Sequence, residues 1–309
     1  MIQIKNLVKR YGDTLALDYL DLDVKEGEIF GLLGPNGSGK TTAINCMLAL
    51  LKYDRGEIKI MGKEMTPVSY DIKSQIGIVP QDMAVFEELT VYENVDYFCG
   101  LYITDKKLRK KLVKDALEFV SIEEYAKKKP KKLSGGLKRR LNIACGIAHK
   151  PKILILDEPT VAVDPQSRNN ILEGIVKLNK EGTTVIYTSH YMEEVEQICS
   201  RIAIMDHGRV IASGTKEELK NMIKTGITVT VSNVVLSDEN IEDIKNLPEA
   251  FEAIYFNEEL KVKFEKDEGS TIAVLKYLED KKIGFGNVIS TLPTLNDVFL
   301  EITGKDLRD

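Results

Sequence analysis

The chain has 309 residues, 43 Lys+Arg against 48 Asp+Glu for a net charge of −5, four cysteines, and no apolar run long enough to span a bilayer. That length holds one large or two ordinary domains with ample core, and the acidic balance disfavours a bulk nucleic-acid binder. Cys46, Cys99, Cys145 and Cys199 lie far apart with no CxxC pair, which suits buried free thiols in a reducing cytoplasm better than disulfides or zinc.

In chain order, Ile2–Leu7 and Tyr19–Val24 are β-type stretches joined through Tyr11-Gly12-Asp13. Ile29–Leu33 is a buried strand candidate that runs directly into Gly34-Pro-Asn-Gly-Ser-Gly-Lys-Thr-Thr42, and Thr41–Leu51 after it is helical in character. Strand, glycine-rich loop and helix make a phosphate-binding loop. The glycines allow positive φ and close backbone approach, so several N–H groups can face one anion. Lys40 would then bridge the β- and γ-phosphates of a triphosphate, and the Thr41 hydroxyl would ligate Mg²⁺.

Glu57–Ile60 and Ile76–Val79 are two more strands. Thr90–Glu118 and much of Ser121–Lys150 are helical. Ile153–Leu156 is continuously apolar, as a fully buried parallel strand requires, and Thr184–Thr188 and Arg201–Met205 repeat the pattern. His207-Gly208 turns a hairpin into Arg209–Ser213. Strands alternating with helices predict a layered α/β domain.

Composition shifts near Lys224–Gly226. Beyond it the pattern is β (Ile227–Val231), α (Asn240–Asn246), β (Phe251–Phe256), β (Leu260–Phe264), α (Ser270–Lys281), β (Phe285–Thr291) and a last helix from Leu295, a ferredoxin-like βαββαβ order. Residues 225–309 hold 9 Lys+Arg and 17 Asp+Glu, a net of −8, and no catalytic constellation. Asp105–Arg140 holds 14 Lys+Arg and 5 Asp+Glu, a net of +9. Both are read as solvated surfaces, with anionic lipid head groups the alternative for the basic one.

Asp157-Glu158 ends the apolar strand at Leu156, where open α/β sheets bind ligands. One carboxylate there can hold Mg²⁺ and its neighbour can orient and deprotonate water. A second anion-receptive helix start is Leu133-Ser134-Gly135-Gly136-Leu137. Thr90-x-x-Glu93, Ser121-x-x-Glu124 and Thr215-x-x-Glu218 read as capping boxes, each filled by an acid. The helices after Gly39 and Gly136 carry no such acid, which leaves both N-termini open to phosphate.

Together these stretches resemble the ATP-binding cassette of an ABC transporter over about residues 1–213, in the family's order and at its spacings. The motifs are the phosphate loop, Gln81 after Ile76–Val79, Leu133-Ser-Gly-Gly136, Ile153-Leu-Ile-Leu-Asp-Glu158, Asp164, and His190 after Thr184–Thr188. The resemblance implies an α/β P-loop cassette over 1–223: a RecA-like core sheet, an antiparallel β subdomain and a helical subdomain at about 82–150. A separate α+β accessory domain is expected over 225–309. Implied roles are Tyr11 stacking on adenine, with Asn36, Gly37, Ser38, Gly39, Lys40, Thr41 and Thr42 around the phosphates of ATP. Thr41, Gln81 and Asp157 would hold Mg²⁺, Glu158 would be the base, and His190 would touch the γ-phosphate. Ser134, Gly135 and Gly136 would meet a nucleotide held by a second cassette, with Asp164 linking the two sites.

Val161-Ala162-Val163-Asp164 departs from the family by placing Ala162 where Val-Gly-Val-Asp or Ser-x-Leu-Asp is usual. The tail from Thr294, with Leu133–Arg140 and Pro159–Arg168, resembles cassettes of ABC-2-type exporters. The expected partners are an integral membrane permease and a second cassette, with no nucleic acid. The expected location is cytoplasmic, peripheral on the membrane. A soluble cassette acting on ribosomes, DNA or another non-transport partner is the alternative; such proteins typically join two cassettes in one chain or insert a long coiled coil, and neither is seen in this sequence.

Overall fold

A long antiparallel hairpin opens the chain, with β1 (Ile2–Tyr11) pairing β2 (Thr14–Val24) from Ile2 opposite Val24 to Tyr11 opposite Thr14. This computed structural model describes residues 1–161, 163–266 and 268–304. After the hairpin come β3 (Ile29–Leu33), α1 (Lys40–Met47), β4 (Arg55–Ile60), β5 (Lys63–Glu64), α2 (Tyr70–Lys73) and β6 (Ile76–Val79). Next are α3 (Val91–Gly100), α4 (Lys106–Phe119) and α5 (Gly135–Ile147). β7 (Ile153–Asp157), α6 (Pro165–Lys180), β8 (Thr184–Ser189), α7 (Met192–Ile198), β9 (Arg201–Asp206) and β10 (Arg209–Gly214) follow.

Two sheets result. One is antiparallel, in the order β2-β1-β4-β5. The other runs β10-β9-β3-β8-β7-β6 and is parallel except for its β9–β10 hairpin edge. Every residue of β3, β7 and β8 is buried, which is why these strands read as unbroken apolar runs rather than alternating ones. Ile4, Leu20 and Ile60 of the first sheet share one core with Phe30, Leu32, Ile155 and Ile186 of the second and with Ile44 and Met47 of α1. The carboxyl ends of β3, β7 and β8, neighbours in the sheet, therefore deliver three loops to one place. Helices α3, α4 and α5 pack on one another.

Three local expectations are corrected. The first two strands are longer than their alternation suggested, because exposed Arg10 and Tyr11 are held by the ladder to β2 rather than by burial. Thr90–Glu118 is two helices: Asp105 ends the break and caps α4 by accepting a hydrogen bond from Leu108 N at 2.7 Å. Thr90 and Glu93 do form a capping box. Ser121 does not, since it sits at φ 55° and only a short 3₁₀ turn at Glu123–Tyr125 follows. The four cysteines are free and buried.

A contact boundary separates Met1–Thr215 from a second compact unit that begins at Lys216. That unit holds α8 (Lys216–Lys220), β11 (Ile227–Ser232), α9 (Asp238–Lys245), β12 (Ala250–Phe256), β13 (Glu259–Phe264), α10 (Ser270–Asp280), β14 (Val288–Thr291) and α11 (Leu295–Thr303). Its antiparallel sheet, ordered β12-β13-β11-β14, has the ferredoxin-like topology. Val229, Val231, Leu260, Val262 and Phe264 face Ile244, Val274 and Leu278 of the helices in a core of its own. Glu301 of α11 accepts from Lys224 N at 2.6 Å and Thr225 Oγ1 at 3.0 Å, fixing the strand entry against the last helix. Among the described residues, no helix is long and apolar enough to cross a membrane.

Candidate functional site

The loop after β3 is shaped by what cannot fit there. A Cβ on Gly34 would meet Met205 O at 2.3 Å and Ser38 Oγ at 2.7 Å. Gly37 and Gly39 sit at φ 82° and 105°, and Gly39 caps α1, whose first turn holds no acid. Lys40 is buried, and its Nζ donates to Gly34 O at 2.7 Å and Pro35 O at 3.1 Å. Burial lowers its pKa, against the opposing pull of Glu158 and Asp157. Ser38 Oγ is buried with no hydrogen-bond partner among the described residues, a donor waiting inside the loop. Asn36 and Thr41 are exposed at its rim and Thr42 is half-buried.

The loop is braced from the hairpin joining β9 to β10. His207 and Gly208 have φ 46° and 77°, the two positive values a tight hairpin turn needs. Gly208 N donates to Ser38 O at 2.9 Å, and Gly208 O accepts from Asp18 N at 3.0 Å. Gly208 thus couples the phosphate loop to β2, a role its turn motif did not reveal.

At the end of β7, Asp157 and Glu158 diverge. Asp157 Oδ2 accepts from Thr41 Oγ1 at 3.1 Å and Oδ1 from Thr188 Oγ1 at 2.6 Å. Glu158 is at φ 49°, a left-handed conformation that costs a non-glycine residue about 1–2 kcal/mol. Its N–H donates to Thr188 Oγ1 at 3.0 Å. That turn points its carboxylate between Gln81 Nε2, 3.0 Å from Oε2, and His190 Nδ1, 3.5 Å from Oε1. Three loops from β6, β7 and β8 therefore converge on one buried carboxylate. Thr188 orients both acids, and sequence reading missed it: only the adjacency of β7 and β8 makes it a neighbour.

Ser134 caps α5 by accepting from Leu137 N at 3.4 Å, and its first turn has no acid. None of the described hydrogen bonds of Ser134, Gly135 or Gly136 reaches the phosphate loop. Gly136 lies instead beside the loop that enters α6: a Cβ on it would be 3.6 Å from Asp164 Oδ2. Asp164 caps α6, and hydrogen bonds from Ser167 hold its carboxyl below the usual range. Arg140 donates to Ser167 Oγ at 2.7 Å. Ala162 lies outside the described residues.

α5 also grips the segment after Gln81. Arg139 Nη1 donates to Gln81 O at 2.8 Å and Pro80 O at 3.2 Å, and Ala84 N donates to Asn142 Oδ1 at 3.1 Å. Tyr11, 50 % exposed at the end of β1, has the Lys9 ammonium 5.1 Å from its ring centre.

This donor set fits a nucleotide triphosphate and a hard cation. Gly34, Gly37 and Gly39 clear a cradle of backbone N–H groups, Lys40 supplies the cation, and α1 offers an acid-free N-terminus. The Thr41 hydroxyl and Asp157 carboxylate are hard oxygen ligands of the few-ligand kind that suits Mg²⁺.

The ABC transporter family model matches residues 17–161. The chain is 40 % identical over 314 residues to the linearmycin resistance ATP-binding protein LnrL of Bacillus subtilis, covering all of both chains. It is 34 % identical to the daunorubicin resistance ATP-binding protein DrrA3 of Streptomyces coeruleorubidus, over 99 % of this chain and 97 % of that one. It is also 34 % identical to the Nod factor export ATP-binding protein I of Burkholderia orbicola, over 100 % and 98 %. The dimeric ATP-binding cassette MJ0796 in a post-hydrolysis state with ADP and Pi superimposes with a TM-score of 0.65 at 30 % identity, over 70 % of this chain and 98 % of that one. The phosphate loop, the acid pair and these relatives together make the chain a member of the ABC transporter family, an ATP-binding and ATP-hydrolysing subunit.

Proposed function

We propose that the chain powers an ABC-2-type exporter from the cytoplasmic face of the membrane, as one of two cassettes that close on Mg-ATP. The observation that carries the hydrolytic part is the Glu158 carboxylate, set between Gln81 and His190 and within the electrostatic reach of buried Lys40. Glu158 takes a proton from the attacking water, Gln81 and His190 hold water and the terminal phosphoryl in line, and Lys40 and Thr41 fix the phosphate chain. Thr41, Asp157 and Gln81 would hold Mg²⁺, which when bound would neutralise charge on the phosphates. Tyr11 offers a ring for adenine to stack on. Gly136 sits beside Asp164, and no described hydrogen bond of Ser134, Gly135 or Gly136 reaches their own chain's phosphate loop, which supports a role on the second copy's nucleotide.

Export is supported by the relatives, named for resistance to linearmycin and daunorubicin and for Nod factor export. The permease contact belongs to the apolar surface after Gln81. Phe86 is 43 % exposed, edge-on to Tyr97 at 5.0 Å and stacked on Phe98 at 5.9 Å. An exposed aromatic cluster is what a docking helix needs. In this reading residues 1–223 are the nucleotide-binding domain and 225–309 an accessory domain.

Glu158→Gln tests the reading. It keeps the shape and removes the proton acceptor, so steady-state ATP turnover should fall roughly 10²–10⁴-fold. The variant should still bind ATP and run as a dimer on gel filtration in Mg-ATP. Near-normal turnover would falsify the assignment of Glu158 as base.

A further inference from the structure

A second buried carboxylate lies behind the site. Glu194, on α7, is 2 % exposed. Its Oε2 accepts three hydroxyl hydrogen bonds: from Tyr187 at 2.7 Å, Thr160 at 2.8 Å and Ser189 at 2.9 Å. Its Oε1 faces Arg168 Nε of α6 at 3.3 Å. Three hydroxyls, one from the loop after β7 and two from β8, do not gather on one oxygen for packing alone. They satisfy a charge that burial would otherwise penalise.

Two routes lead from this carboxylate to His190. Ser189 Oγ, which donates to Glu194, accepts from Tyr191 N at 2.9 Å, so it fixes the backbone on both sides of His190. The Arg168 guanidinium lies 4.7 Å from the centre of the Tyr191 ring, and that ring lies 4.1 Å from the His190 ring. A third route runs through Thr160 to the loop that leads to Asp164. His190 Nδ1 is itself buried without a hydrogen-bond partner among the described residues. Beyond the 3.5 Å approach of Glu158 Oε1, the described contacts on its ring and flanking backbone are those of Tyr191 and Ser189.

We propose that Glu194 is a positioning residue for hydrolysis: its buried carboxylate sets the His190 imidazole against Glu158 through Ser189 and through the Arg168–Tyr191 stack. The proposal rests on the hydrolytic roles of His190 and Glu158, and the experiment separates the two. Steady-state kinetics are measured for Glu194→Ala, His190→Ala and the double variant, with ATP KM and melting temperature recorded alongside. Glu194→Ala should lower kcat at least about tenfold and leave KM within about threefold, the mark of lost transition-state rather than ground-state stabilisation. In the His190→Ala background it should add less than about twofold, because coupled residues are not additive. Glu194→Gln keeps an oxygen for the three hydroxyls but loses the charge facing Arg168, so its kcat should fall between alanine and wild type. Fully multiplicative losses, or a raised KM with kcat intact, would overturn the proposal. Near-wild-type turnover of His190→Ala would instead overturn the role of His190. If Glu194→Ala fails to fold, Ser189→Ala and Arg168→Lys, each cutting one route, are read against His190→Ala in the same way.

Discussion

Asp157 and Glu158 are adjacent in sequence, and the backbone turns their carboxylates to different partners, as the different tasks proposed for them require. The extended chain of β7 leaves Asp157 facing Thr41, and the left-handed φ of Glu158 swings the next carboxylate toward Gln81 and His190. Asp157→Asn tests the first half. Asparagine can still accept from Thr188 Oγ1 through one oxygen, so the fold should hold its melting temperature within a few degrees. Its amide presents no charge beside Thr41. Affinity for a fluorescent ATP analogue in Mg²⁺ should therefore drop to the value seen in EDTA. A retained Mg²⁺-dependent gain in affinity would remove Asp157 from the cation site. That two acids follow the apolar strand was legible from the sequence, because the motif is contiguous. That Thr188 orients both was not, because β7–β8 pairing brings together residues about thirty positions apart.

At the scale of elements, the phosphate loop gives an internal control on how glycine acts. Gly34 needs space, since a Cβ there strikes the carbonyl of Met205. Gly37 has nothing within 4 Å but a φ of 82°, so its demand is conformational. Gly37→Ala should cost about 1–2 kcal/mol, a melting shift of a few degrees. Gly34→Ala should cost clearly more, because backbone must move against β9. Thermal melts of both without nucleotide decide it, and equal shifts would contradict this account. Strand identities and the ferredoxin-like order were readable from apolar runs and turn residues. The break at Leu101–Asp105 was not, because helical spacing continues on either side and only the Asp105 cap marks the restart. Ser121 shows the converse: a capping-box spelling without a helix, since Ser121 itself sits at φ 55° and no hydroxyl cap forms.

For the molecule as a whole, the first unit has two sheets and the second one, each unit has its own core, and the proposed nucleotide-site residues all fall before residue 216. A chain ending at Thr215 should fold and bind ATP with affinity within about threefold of full length, since no described site contact comes from beyond it. Loss of a cooperative melt in that truncation would show that the units complete one another. Whether the removed unit serves pairing is read from the same protein by gel filtration in Mg-ATP with Glu158→Gln added.

α5 has its N-terminal end in one transaction and its body in another. Its body clasps the segment around Gln81 through Arg139 and Asn142, and its first turn carries Gly136 beside Asp164. In the proposed pairing, Gln81 attends to the chain's own nucleotide and the helix tip to the other copy's. In that pairing α5 would join the two, so that a vacancy on one side would withdraw a donor from the other. Such a pair would behave as a coincidence detector, firing when both seats are taken and idling when only one is.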